Sequence, residues 1–125
     1  MSEYHLEAAI AAVHMKAVSF ADTNWNRLLI LYDILAQLKP GPIIELNRAI
    51  AIGYAKSYRE GLEELRKINE LESNHFYHAA LGNFFWLLKD RDHAERSYSN
   101  ALSIATTSAD KDFLRKKIDE IQLSK

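Results

Sequence analysis

The chain has no cysteine, two prolines, four glycines, almost no excess of one charge over the other, and no apolar run of membrane-spanning length. Each shortage excludes something. Without cysteine there are no disulfides, thiolate metal sites or cysteine nucleophiles; this suits a reducing compartment, and the cytoplasm is the expected location. Sixteen basic residues against seventeen acidic ones give a net charge of −1, so no overall positive field draws in a phosphate backbone and direct nucleic-acid binding is not expected. Apolar stretches such as Leu28 to Tyr32 and Phe84 to Leu88 fall far short of the ~20 residues that cross a bilayer, so no membrane partner is expected. Met1-Ser2-Glu3-Tyr4 lacks the basic-then-apolar opening of a secretory signal.

What is present is the balance of an ordinary globular chain: 48% hydrophobic and 26% charged residues over 125 positions, enough for one domain with one core. The two prolines, Pro40 and Pro42, bracket Gly41 and mark the strongest break. Apolar spacing near 3.6 residues predicts seven helices, at about 4 to 18, 24 to 38, 43 to 56, 59 to 71, 75 to 89, 91 to 105 and 110 to 122. Asp22 or Thr23 is expected to cap the second, Gly41 to turn left-handed after it, and Pro42 to open the third. Connections this short place neighbouring helices antiparallel.

Written in registers 33 residues apart, the chain aligns Tyr32, Leu65 and Tyr98, then Leu35, Ile68 and Ala101, then Leu38, Leu71 and Ile104. Gly82, Phe85, Ala94, Tyr98 and Ala101 resemble the tetratricopeptide signature, in which small residues admit close helix contact and aromatics seal the gaps. Leu28 and Gly61 stand where that signature carries alanine, and Lys16 where it carries glycine. The fold class expected is therefore all-α: a right-handed, tetratricopeptide-like array of antiparallel hairpins, with repeats at about 9 to 41, 42 to 74 and 75 to 107 and a capping helix at about 109 to 123.

A search for chemistry returns little. His5, His14, His75, His78 and His93 form no His-Glu-x-x-His arrangement, so no metal is expected; no phosphate-cradling loop or nucleophile elbow suggests a cofactor or a catalytic residue. The sequence points to an interaction module and not to an enzyme. First helices of successive hairpins line the inner side of such arrays, which here would comprise Val13, Ala17, Leu46, Ile50, Ala79, Asn83 and Trp86. That mostly apolar set is expected to be covered, by another segment of the polypeptide, a second copy or a hydrophobic partner, or by the curl of the array itself.

Three stretches carry a more particular resemblance: Tyr4 to His14, then Asp22-Thr23-Asn24-Trp25, then Leu31-Tyr32-Asp33 leading on to Pro40-Gly41-Pro42-Ile43-Ile44-Glu45-Leu46-Asn47-Arg48-Ala49. Together they resemble the C-terminal extension of those bacterial extracytoplasmic-function (ECF) sigma factors that carry a tetratricopeptide-like domain. Asn24 stands where that family usually has aspartate, and Thr107 to Lys111 lacks its usual Asn-x-x-Glu-Arg approach to the last helix. The resemblance implies a regulatory domain that modulates promoter-directed initiation by RNA polymerase through protein contacts, the promoter-reading regions lying outside this chain. It nominates Asp22, Trp25, Asn47 and Arg48 as site residues, beside Leu46, Ile50, Asn83 and Trp86 of the inner surface. Each also has a scaffold reading: Asp22 as a cap, Asn47 and Arg48 as ties to backbone carbonyls at helix ends. The rival function is a free-standing tetratricopeptide scaffold unrelated to transcription.

Overall fold

A computed structural model describes residues 23–124. Six helices lie among them: α1 (Trp25–Leu38), α2 (Pro42–Ala55), α3 (Tyr58–Lys67), α4 (His75–Leu87), α5 (Arg91–Ile104) and α6 (Ser108–Leu123). No strand occurs among the described residues, and the protein is an all-α array of helix hairpins. The helix expected at about 4 to 18, together with Val13, Ala17 and Asp22, lies outside the described residues. The helix starts form two interleaved series, 25, 58, 91 and 42, 75, 108, each advancing by 33 residues. The sequence period is thus a period of chain reversals.

Local chemistry accounts for these starts. Asn24, Ser57, Asn74, Asp90 and Thr107 each accept a hydrogen bond from the amide three residues on, satisfying a donor that the first turn leaves unpaired. The Ser57 and Thr107 hydroxyls also donate to the carboxylates of Glu60 and Asp110. Asn24, and not Thr23, caps α1: its side chain lies over the Arg27 amide, 3.1 Å away. Gly41 is extended (φ 167°) and not left-handed, because Pro42 directly begins the next helix and disfavours a helical conformation in the residue before it.

The chain divides into two compact units, Met1–Glu64 and Leu65–Lys125. In the first, α1 packs on α2. Leu28, Leu31 and Leu35 form one buried cluster with Trp25, Tyr32 and Ile44, and Leu29, Ala51 and Ile52 form another. Burying each of the larger side chains contributes about 1.5–3 kcal/mol. The start of α3 lies against α2 at glycine on glycine: a Cβ on Gly61 would stand 2.5 Å from the Gly53 Cα. Glycine in the alanine register is therefore a closer version of the same contact.

In the second unit α4 packs on α5, and α5 on α6. Phe84, Ala94, Tyr98, Ala101, Leu114 and Ile121 are at most 2% exposed. Gly82 and Ala94 are both buried, and the Tyr98 ring lies on Gly82, where an added Cβ would come within 2.8 Å of it. The aromatic of the signature thus seals its own hairpin. The Tyr77 hydroxyl donates to the Leu65 carbonyl at 3.1 Å, and burial, with Glu72 nearby, raises its pKa.

One helix is shorter than its spacing predicts. Leu65, Ile68 and Leu71 are all buried, as a helix to 71 requires, yet α3 ends at Lys67. The Ile68 amide bonds the Leu65 carbonyl, Glu70 adopts a left-handed φ of 75°, and the Asn74 amide bonds the Leu71 carbonyl. Two successive turns return the same apolar side chains to the core, and three-residue spacing alone does not distinguish them from a helix.

Two glycines should respond oppositely to alanine. Gly61→Ala forces α3 off α2 and should cost about 1–3 kcal/mol. Gly41→Ala meets nothing within 4 Å on extended backbone, and should be neutral or stabilise by up to about 1 kcal/mol through the unfolded chain. Urea unfolding followed by circular dichroism measures both.

Candidate interaction site

The described residues among those nominated from sequence fall in two places, one in each unit. In the first, the short Asp33 to Arg48 separation reflects the α1–α2 reversal, which brings one turn of each helix alongside the other. Arg48 Nε donates to Asp33 Oδ1 at 2.5 Å, and Arg48 Nη1 lies 3.8 Å from Glu64 Oε2. Arg48 therefore ties α1, α2 and α3 through carboxylates and not, as expected, through backbone carbonyls: the acceptors on its face are acidic side chains. Asn47 beside it is half-buried, as is Ile50, and Leu46 is buried.

Trp25, in the first turn of α1, stacks on Tyr54 near the end of α2, with ring centroids 4.7 Å apart and planes inclined by 29°. Tyr58, at the head of α3, meets Tyr54 edge-on at 6.0 Å. This aromatic file runs across the same three helices as the Arg48 ion pairs. The two sets give one unit both an apolar and a polar fastening, worth roughly 0.5–1.5 kcal/mol per aromatic pair beyond area. The half-exposed ion pair is worth only about 0.2–1 kcal/mol.

In the second unit Asn83 and Trp86 sit one turn apart on α4, both half-buried. Helix α4 ends in a left-handed closure: the Lys89 amide bonds the Trp86 carbonyl and the Asp90 amide bonds the Phe85 carbonyl, each at 2.9 Å. The residue in the left-handed position is Lys89, φ 66°, where glycine is usual and a side chain costs about 1 kcal/mol. Asp90 then caps α5, its carboxylate accepting from the His93 amide at 3.3 Å and meeting the His93 ring Nδ1 at 2.8 Å. The ring bond first, then the amide bond, hold the Asp90 carboxyl below its ordinary pKa. Against this corner opens a cleft of about 430 Å³ lined by Trp86, Leu87, Lys89 and Arg91.

The histidines do not converge. His78 Nε2 contacts the Glu72 carbonyl at 2.7 Å, and His93 stacks on Phe85. His75 Nε2 lies 3.3 Å from Asp110 Oδ2, near enough for attraction but out of line for a hydrogen bond. Among the described residues no group of three or more His, Cys, Asp or Glu could hold a metal ion, and no helix is long and apolar enough to cross a membrane.

Of the expected inner surface, none of the described members is exposed. The large apolar side chains left in water lie elsewhere. Ile30, Ile34 and Leu38 form a stripe on α1, 36–60% exposed, with Ile43, Phe76 and Phe113 also open. Their i, i+4, i+8 spacing was visible in the sequence; that Leu28, Leu31 and Leu35 on the other face would be the buried set was not, since both faces are equally apolar. Asp33, Tyr54 and Lys89 also went unnominated. Asp33 and Tyr54 acquire their roles only from partners on other helices, whereas Lys89 carried one signal, a non-glycine at a helix end.

No protein-family model matches the chain. An uncharacterized protein of Rhizobium meliloti (strain 1021) is 29% identical over 119 residues, which is 94% of this chain and 28% of that relative. The chain thus spans little more than a quarter of the length of the curated relative it matches.

Two outcomes are expected. In a double-mutant cycle on Asp33→Asn and Arg48→Ala, urea midpoints should give a coupling of about 0.2–1 kcal/mol. Asp90→Ala should cost about 1 kcal/mol at neutral pH. Because folding lowers the Asp90 pKa, its contribution is present above the unfolded value and lost as pH falls through the folded one; the gap between wild type and variant should close below about pH 4.

Proposed function

We propose that this chain is a non-enzymatic, tetratricopeptide-like protein-interaction module serving as the regulatory C-terminal domain of an ECF-type sigma factor, where it modulates promoter-directed initiation by RNA polymerase through protein contacts. The observation that carries the reading is the convergence of the motif residues. Asp33 and Arg48, which belong to the stretches resembling that family, bond each other across α1 and α2, and Trp25 of the Asp-Thr-Asn-Trp element stacks on Tyr54 of the same unit. Two separated parts of the motif thus meet directly and a third is fastened within the same unit, as a domain-specific scaffold requires. The longer relative from Rhizobium meliloti supports a second element of the reading, that such a segment works within a larger polypeptide. In this role the domain acts in the cytoplasm, without cofactor or metal, and contacts protein: the remainder of its own sigma factor, the polymerase, a regulator or a second copy.

The free-standing scaffold is the competing reading, and the gene separates the two. Sigma regions are expected in the reading frame upstream of Met1. The polypeptide so defined should retain core RNA polymerase in a pull-down, and removing residues 1–125 should change promoter-directed transcript yield severalfold in a reconstituted reaction. Absence of sigma regions together with failure to retain polymerase overturns the transcription role and leaves the scaffold.

A further inference from the structure

The cleft at the α4–α5 corner combines features that the scaffold does not use. It is lined by two apolar side chains, Trp86 and Leu87, and by two cations, Lys89 and Arg91. Arg48, Arg115 and Lys117 are all near carboxylates, whereas Lys89 and Arg91 form no ion pair among the described residues. Asp90, between them in sequence, directs its carboxylate to the His93 ring and amide. Asp92, together with Asp90, Lys89 and Arg91, lines an adjoining, more polar groove and is not among the residues that line the cleft beside Trp86.

Lys89 occupies a left-handed position that glycine takes without strain. A volume of about 430 Å³ admits one or two large side chains, and two lining cations without an ion pair among the described residues complement carboxylates.

We propose that this cleft binds an acidic peptide segment bearing a large apolar side chain, which lies against Trp86 and Leu87 while flanking carboxylates meet Lys89 and Arg91. The assignment rests on the cleft alone and holds whether or not the domain belongs to a sigma factor. Nucleic acid is the poorer occupant, because half of the cleft's lining residues, Trp86 and Leu87, are apolar.

Isothermal titration calorimetry of the 125-residue chain with the peptide acetyl-Asp-Glu-Phe-Leu-Asp-Glu-amide tests it, with quenching of tryptophan emission as a second readout. Saturable binding is expected. It should weaken about tenfold in the Lys89→Gly, Arg91→Gln double variant, and again in about 0.5 M salt. A peptide with serine in place of its Phe and Leu should bind several times more weakly. Lys89→Gly relieves the left-handed strain, so an unchanged or raised melting temperature excludes unfolding as the cause. Absence of saturable binding to the wild-type chain, equal binding by the double variant, or tighter binding of a single-stranded oligonucleotide than of the peptide overturns the proposal.

Discussion

Every described helix is between 10 and 16 residues long, close to or below the length at which an isolated helix is marginal in water, so each depends on lying close against a neighbour. That closeness is set where side chains are smallest. Gly61 meets Gly53 between α3 and α2, and Gly82 receives the Tyr98 ring between α4 and α5. Both contacts leave no room for one additional methyl group. Interiors packed at crystal-like density do not absorb such an addition without moving whole elements, so the hairpins, and everything mounted on them, follow from these approaches.

The chain reversals answer to the same need. Neighbouring helices can pack only if the chain turns quickly, and it does so with side-chain caps at Asn24, Ser57, Asn74, Asp90 and Thr107. At the α4–α5 corner one residue serves both helices, since the Asp90 amide closes α4 while its carboxylate opens α5. The left-handed Lys89 is the geometric condition for that compression. A strained cation beside a half-buried tryptophan is thus a by-product of a tight corner in its backbone and a choice in its side chain.

The family-like residues of the first unit behave as fasteners. Arg48 with Asp33 and Glu64, and Trp25 with Tyr54, hold three helices in register. The exposed features lie elsewhere: the α1 stripe of Ile30, Ile34 and Leu38, and the cations Lys89 and Arg91 of the α4–α5 cleft. Motif residues and contact residues therefore need not coincide, and a regulatory role carried by this fold would act through surfaces that its signature does not spell out.

Helix content, the 33-residue period and five of the six described helix boundaries to within two residues were legible in the sequence, because they follow from apolar spacing and from residues that bond their own neighbouring backbone. Reading failed where local chemistry is degenerate. Asn24 could not be chosen over Asp22 and Thr23 as cap by residue type alone, and the turns at Ile68 to Asn74 copy helical spacing. The site was less legible than the fold. Arg48 finds Asp33 fifteen residues away, and Trp25 finds Tyr54, only because α1 and α2 fold back on each other. Sequence by itself determined what each segment becomes, through short-range hydrogen bonds and periodicity. Tertiary packing decided which of two apolar faces of α1 is buried and which ions pair, since these depend on distances between segments that no local pattern encodes.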